Sequence, residues 1–373
     1  MSRTALWLTM LAIVAATFGC EQLDGRNRNR KGNRLFRETK FVDAVAEYEK
    51  ALKEVNEPTI HYNIALAYSK IFKIGAEPDT QVVLDVKGSF ACAQIPKVKF
   101  VTKQVCVKPG DKHFEACDAK NVCASSFKCQ QTELCTIDNG VVAEMAADHF
   151  SIWLKAHHKD EDTRALMTQV WIDSSQFKKA IDYWEELLKA KPNDPNIMGS
   201  LAGINLKAND WRKSIEWYTK VAEVAKDETA RVAAYQFIGN VAWSKLNSKS
   251  LTVPDSVELA DRGIGALQKA AAMQPKNPKF FGLMASIFNF RALAQGASWS
   301  AGIERATAQD LQGVARVLNA EAKKAQGLPV PPTPPTPAKS PTPPAPAPAQ
   351  GSGAAANPSP PAKTGGSFAK KGR

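Results

Sequence analysis

The chain has 373 residues, a formal net charge of +12 and a hydrophobic fraction of 44%. That fraction is enough to fill a core, which excludes a wholly disordered chain, and the length allows one large or two ordinary domains. The positive charge favours anionic partners, nucleic acid or phospholipid head groups, and does not by itself choose between them.

At the N-terminus Arg3 precedes an apolar run from Ala5 to Ala16 that ends in small residues. The run is short for a bilayer span. Charge, apolar run and small residues in that order predict a secretory signal peptide over residues 1–19. The stretch closes on Gly19-Cys20 and there resembles a bacterial lipoprotein signal. The resemblance implies that Cys20 is acylated and becomes the mature N-terminus. Glu21 behind it implies sorting to the outer membrane, facing the periplasm. The alternative is cleavage after Val14-Ala15-Ala16, which gives a soluble periplasmic or secreted chain. Cysteine arithmetic favours the anchor, because seven is odd for an exported chain. Removing Cys20 leaves an even set, all between residues 92 and 135.

Residues 20–31 then read as a lipidated basic linker holding Arg26, Arg28, Arg30 and Lys31, with Arg34 and Arg37 just beyond. Beside a lipid anchor, each such residue gains on the order of 1 kcal/mol from anionic head groups. Export makes nucleic acid the weakest of the anionic partners, so no nucleic acid is expected.

Residues 32–58 hold a helical hairpin. Gly32, Leu35 and Phe36 lie on a first helix, Glu38-Thr39-Lys40 forms the turn, and Phe41, Ala44, Val45, Tyr48, Ala51 and Leu52 form a second stripe at spacings of three and four. The figure returns in residues 166–192, through Trp171, Phe177, Ala180, Ile181 and Trp184, and in 200–226, through Leu201, Trp211, Ser214, Ile215 and Tyr218. From Ala180 to Ser214 is 34 residues, as from Phe177 to Trp211 and from Trp184 to Tyr218. On these residues the chain resembles the tetratricopeptide repeat (TPR) family, whose helix-turn-helix unit has this period and small residues where the helices touch. The large aromatics Trp171, Trp184, Trp211 and Tyr218 are expected in the interior.

The fold class expected is therefore an all-α TPR solenoid. Residues 32–73 give the first repeat and the first helix of the second, and 140–326 the remaining repeats and a capping helix. Residues 141–156 partner the helix at 59–72, since Ala146 lies 34 residues before Ala180. A fifth repeat starts at 232–246 and ends at 266–278 after a short insertion around Pro254. The last pair, 279–323, ends in a polar, Lys-bearing helix that covers the final apolar face. The resemblance implies a concave groove lined by the first helix of each repeat, which places Tyr62, Lys70, Gln169, Asp173 and Lys207 as candidate partner-binding residues.

Residues 74–139 interrupt the second repeat and carry Cys92, Cys106, Cys117, Cys123, Cys129 and Cys135. Zinc sites present pairs two to four residues apart, and no pair here is that close, so no metal is expected. Nothing singles out one thiol as a nucleophile. An even set in a loop-rich exported insertion predicts three disulfides, needed because few large apolar residues are present to hold the segment together. Their connectivity is open among about 15 pairings. VKFVTKQVCV (98–107) alternates like a strand and allows a small two-stranded ribbon.

Residues 327–373 are Pro- and Ala-rich with almost no large apolar residues, which predicts a disordered tail. The motifs of nucleotide-binding loops, serine hydrolases and zinc proteases are missing. His157-His158 before KDED reads as a solvated helix end, and His61 and His149 have no partner in the sequence. The expected function is a protein-interaction scaffold or assembly factor, not an enzyme. No cofactor or small-molecule substrate is expected, the partner is a protein, and the chain is held to a membrane by its lipid and basic linker. The alternatives are redox or enzymatic chemistry in the cysteine insertion, and a cell-wall-spanning tether acting through the tail.

Overall fold

The apolar stripes become helices that pack on their chain neighbours. The computed structural model describes residues 22–108, 114–117, 123, 127–248, 250–326 and 328. The signal peptide, Cys20 and nearly all of the Pro-rich tail lie outside the described residues. Helix α1 (22–37) turns into α2 (Phe41–Glu54), and α3 (Pro58–Ile71) follows. Next come β1 (Gln81–Val86), a short α4 (Phe90–Gln94), β2 (Lys99–Val107), β3 (Glu115–Ala116) and β4 (Lys128–Asp138). The helices resume with α5 (Asn139–Ala156), α6 (Glu161–Asp173), α7 (Phe177–Ala190), α8 (Pro195–Lys207) and α9 (Trp211–Val224). They end with α10 (Glu228–Asn247), α11 (Val253–Met273), α12 (Pro278–Ala294) and α13 (Trp299–Ala325). Residues up to Ala322 form one unit, and those from Lys323 belong to a second. Among the described residues no helix is long and apolar enough to cross a membrane.

Three hairpins turn alike. The N–H groups of Lys40, Gln176 and Asp210 donate to the carbonyls of Leu35, Trp171 and Asn205 at 3.0, 2.7 and 2.9 Å. The residues before them, Thr39, Ser175 and Asn209, take φ of 60°, 58° and 67°. This is the left-handed closure that usually falls to glycine. The 34-residue period thus repeats in the backbone of the turns as well as in the apolar stripe. Between repeats, Asp160, Asp194 and Asp227 cap α6, α8 and α10 through their side chains, and within one hairpin Asp210 caps α9. Asp160 belongs to the KDED run, so that run ends one turn and starts the next helix.

The core forms two clusters. One gathers buried residues from Ala44 to Ile204, including Trp171 and Trp184. The other runs from Trp211 to Ile287, with Tyr218 packed against it. The aromatics at the repeat positions are interior, as their spacing predicts. Gly32 also behaves as expected of a helix crossing: a Cβ there would lie 2.4 Å from the Tyr48 ring.

Several expectations need correction. Residues 22–31, expected as a linker, are the first half of α1. Arg28 pairs with Glu54 at 3.1 Å and Glu47 at 3.4 Å, and Lys31 with Glu47 at 2.6 Å, so their charge is largely spent inside the first hairpin. The insertion around Pro254 is not a loop: it lengthens α10 and α11 to 20 and 21 residues, and Pro254 breaks neither. It sits in the first turn of α11, where its missing N–H costs nothing. The last helix is not uniformly polar on its outer side: Trp299, Ile303, Val314 and Val317 are exposed, while Ala301, Ala308 and Ala315 face inward.

The ribbon expected at 98–107 is part of a four-stranded antiparallel sheet in the order β1-β4-β2-β3. Nor do disulfides alone hold the insertion. Val82, Leu84, Ala91, Cys92, Ile95, Cys135 and Ile137 join the first helical core. The sparse apolar residues suffice because they are concentrated on the inner end of the sheet. At the neck, the buried Asn139 side chain donates to the Lys73 and Ala76 carbonyls at 2.9 and 3.3 Å and accepts from the Lys73 N–H at 2.9 Å. With the neck closed, α3 and α5 pack together as if the sequence between them were absent.

Candidate functional site

The first hairpin and α3 enclose a hollow of about 270 Å³ lined by Asn33, Phe36, Arg37, Tyr48, Asn63 and Leu66. Phe36 is fixed by an edge-on contact with Phe41, ring centroids 5.2 Å apart. Tyr48, fully buried, reaches the hollow from α2 and donates its hydroxyl to Asn33 Oδ1 at 2.7 Å. Asn63 donates through Nδ2 to Asn29 Oδ1 at 3.0 Å, which links α3 to α1. Amides therefore stand on both walls over an apolar floor. Arg37 is exposed at the rim, and among the described residues it has no carboxylate partner. Such a surface offers hydrogen bonds to a peptide backbone, a cation to an acidic group and a shallow apolar seat.

None of the five groove residues read from the sequence lines this hollow. Lys70 comes nearest in register, four residues after Leu66 and seven after Asn63, one stripe of α3. Tyr62 instead packs on α5, its ring centroid 4.9 Å from that of Trp153 and 6.1 Å from that of Phe150. Gln169 donates to Asp173 at 2.6 Å within α6, and Lys207 is exposed at the end of α8. The asparagines were missed because an amide in a helix carries no periodic signal. Only the apposition of α1 and α3 makes a wall of them.

A second cluster is buried where α2, α3 and α5 meet. His61 Nδ1 lies 2.8 Å from His149 Nδ1, although the two are 88 residues apart, and His61 Nε2 lies 2.9 Å from Asn56 Oδ1. His149 Nε2 is 3.9 Å from Glu49 Oε1, which accepts the Tyr68 hydroxyl at 3.3 Å. Asn56 accepts, so His61 carries its proton on Nε2 and presents a bare Nδ1. His149 must then donate from its own Nδ1 and turn a bare Nε2 toward Glu49. At 3.9 Å that last contact is too long for a hydrogen bond, and two neutral rings beside a protonated Glu49 place no unpaired charge there. Burial drives the protons the same way: it pushes the Glu49 carboxyl up to about 7 and, helped by His61, pulls His149 down to about 4. His61 is lowered by burial alone. Tyr68 is fully buried and Glu49 and His61 nearly so.

The six cysteines form Cys92–Cys135, Cys106–Cys123 and Cys117–Cys129. The first bridge is buried and ties α4 to β4; the other two interlace at the outer end of the sheet. His157 stacks on Trp153 with ring centroids 3.6 Å apart, and the Trp153 indole donates to Asp160 at 2.8 Å, so these polar groups brace the turn into α6.

No family model and no curated protein matches the chain. Among solved structures, a crystal structure of MamA protein is similar at 17% identity and a TM-score of 0.33, covering 49% of this chain and 85% of that one. A second crystal structure of MamA gives 17% and 0.33 over 50% and 92%. The MamA RS-1 ArsTM double mutant gives 18% and 0.30 over 46% and 85%. A likeness this distant assigns the chain neither a family nor an activity.

Proposed function

We propose that the chain is a scaffold of the tetratricopeptide kind that binds a segment of a protein partner, acidic in part, in the hollow between α1 and α3. The observation that carries this is the lining itself: Asn33 and Asn63 on facing walls, Phe36 and Leu66 below, and at the rim Arg37, with no carboxylate partner among the described residues. An extended segment would exchange backbone hydrogen bonds with the two amides and set a carboxylate against Arg37, with Lys70 next along the same stripe. The reading includes export and anchoring through Cys20 in a bacterial envelope. It is supported by the order of residues 1–20 and by three disulfides, which persist in oxidising compartments. It assigns no catalytic role.

A photo-cross-linking amino acid at position 70 of the full chain, beside the hollow, activated in the native envelope, tests it. A discrete protein adduct is expected, lost on Arg37→Glu and kept on Lys207→Glu. Adducts insensitive to Arg37, or obtained only from probes in residues 327–373, would move the function from the hollow to elsewhere in the chain.

A further inference from the structure

Sequence spacing hides a juxtaposition at the outer end of the sheet. The sulfurs of Cys106, Cys117 and Cys123 all lie within 4.8 Å of one another. Cys129 is bonded to Cys117 and stands directly across the β2–β4 ladder from Cys106, on the same face. Two disulfides thus gather three sulfurs into one group, with Cys129 bonded to one of them, apart from the buried Cys92–Cys135 bridge. Tetrahedral coordination by thiolates, with metal–sulfur bonds of about 2.3 Å, sets sulfurs about 3.8 Å apart. The three sulfurs reach that geometry with movements of about an ångström or two.

We propose that, once these two disulfides are reduced, Cys106, Cys117, Cys123 and Cys129 bind one thiophilic divalent cation of the zinc class. The backbone, not the sulfur, places most of the ligands. Cys106 and Cys129 are held by the ladder that runs from Lys99↔Thr136 to Val107↔Lys128, and Ala116, next to Cys117, pairs with Val105. Reduction leaves those three backbone positions in place; the Cys129 side chain has to turn inward and Cys123 has to follow. Cys106 is buried and the other three are half-buried, which shields the site from competing water. Each disulfide takes two electrons from an added phosphine, which leaves as its oxide with the oxygen of one water, and yields two thiols. The four thiols then release four protons to the buffer as four metal–sulfur bonds form and the cation sheds its waters.

The test uses the full chain, reduced anaerobically with a phosphine and titrated with Co²⁺ and then Zn²⁺. The expected result is one cobalt per chain, a thiolate-to-cobalt charge-transfer band, and bleaching of that band by zinc. Cys117→Ser and Cys129→Ser should each lose the band. In the reduced wild-type chain, Cys106, Cys117, Cys123 and Cys129 should be alkylated without zinc and resist alkylation with it, which reads the site without a variant. A reduced chain that takes up no cobalt overturns the proposal, as does a band that survives Cys117→Ser or alkylation of the four outer cysteines that zinc does not slow.

Discussion

Replacing Glu49 by Gln should stabilise the chain at pH 8 and change little at pH 4. The Glu49 carboxyl is buried between α2, α3 and α5, and burial lifts its pKa from the ordinary 4.5 to about 7; the bond from Tyr68 and the charge of Lys53 pull the other way and lose. A folded pKa above the unfolded one means that the folded state holds its proton longer. The stability from this group is full below pH 4.5 and is lost as the pH rises to about 7. At about 1.4 kcal/mol per pKa unit, the loss is about 3 kcal/mol. Gln keeps the shape and the acceptor for Tyr68 but never ionises. The difference between variant and wild type should therefore grow by about 3 kcal/mol from pH 4 to pH 8. His149 has the opposite sign: its folded pKa of about 4 lies below 6.5, so its contribution is present above pH 6.5 and lost as the pH falls toward 4. In the wild type the two slopes oppose each other between pH 4.5 and 6.5, and Glu49→Gln uncovers the histidine slope. Urea unfolding followed by circular dichroism, with disulfides intact, measures both. A difference between the two chains that stays constant with pH would refute the assignment of the buried proton.

Gly32→Ala should cost about 1–3 kcal/mol, because the new methyl meets the Tyr48 ring at 2.4 Å; an unchanged thermal midpoint would show that α1 does not cross α2 there. Thr39→Gly should gain about 0.5–1 kcal/mol, since a β-branched residue holds the left-handed turn at φ 60°. Denaturation midpoints measure that gain, and a loss would show that the turn tolerates Thr without strain. Removing the inner bridge with Cys92→Ala and Cys135→Ala opens a loop closed over a sequence separation of 43. Loop entropy then predicts a loss of about 4 kcal/mol. Equal stability of the variant and the parent chain in urea would show that the α4–β4 packing alone secures the insertion.

Much of the architecture was legible because it is local. Apolar spacings of three and four, small residues at crossings and the 34-residue recurrence of Phe177, Ala180 and Trp184 name helices, their buried faces and their partners in the chain. Ala146 in register with Ala180 showed that α3 and α5 belong together across the insertion. Alternation at 98–107 marked a strand, and an even number of cysteines marked bridges. These signals survive in the sequence because each is set by the geometry of one helix, one strand or one repeat.

Tertiary structure alone decided the rest. Six cysteines do not carry their pairing, and no spacing rule places the sulfurs of Cys106, Cys117 and Cys123 within 4.8 Å of one another. His61 and His149 look solitary in the sequence and touch only because α3 and α5 pack face to face. The basic run of α1 reads as free charge until Glu47 and Glu54 close on it from α2. Hydrophobic periodicity specifies which face of a helix is buried. It says nothing of which polar groups meet there, because a hydrogen bond or a bridge depends on ångström-scale distances between segments whose separation in sequence is arbitrary.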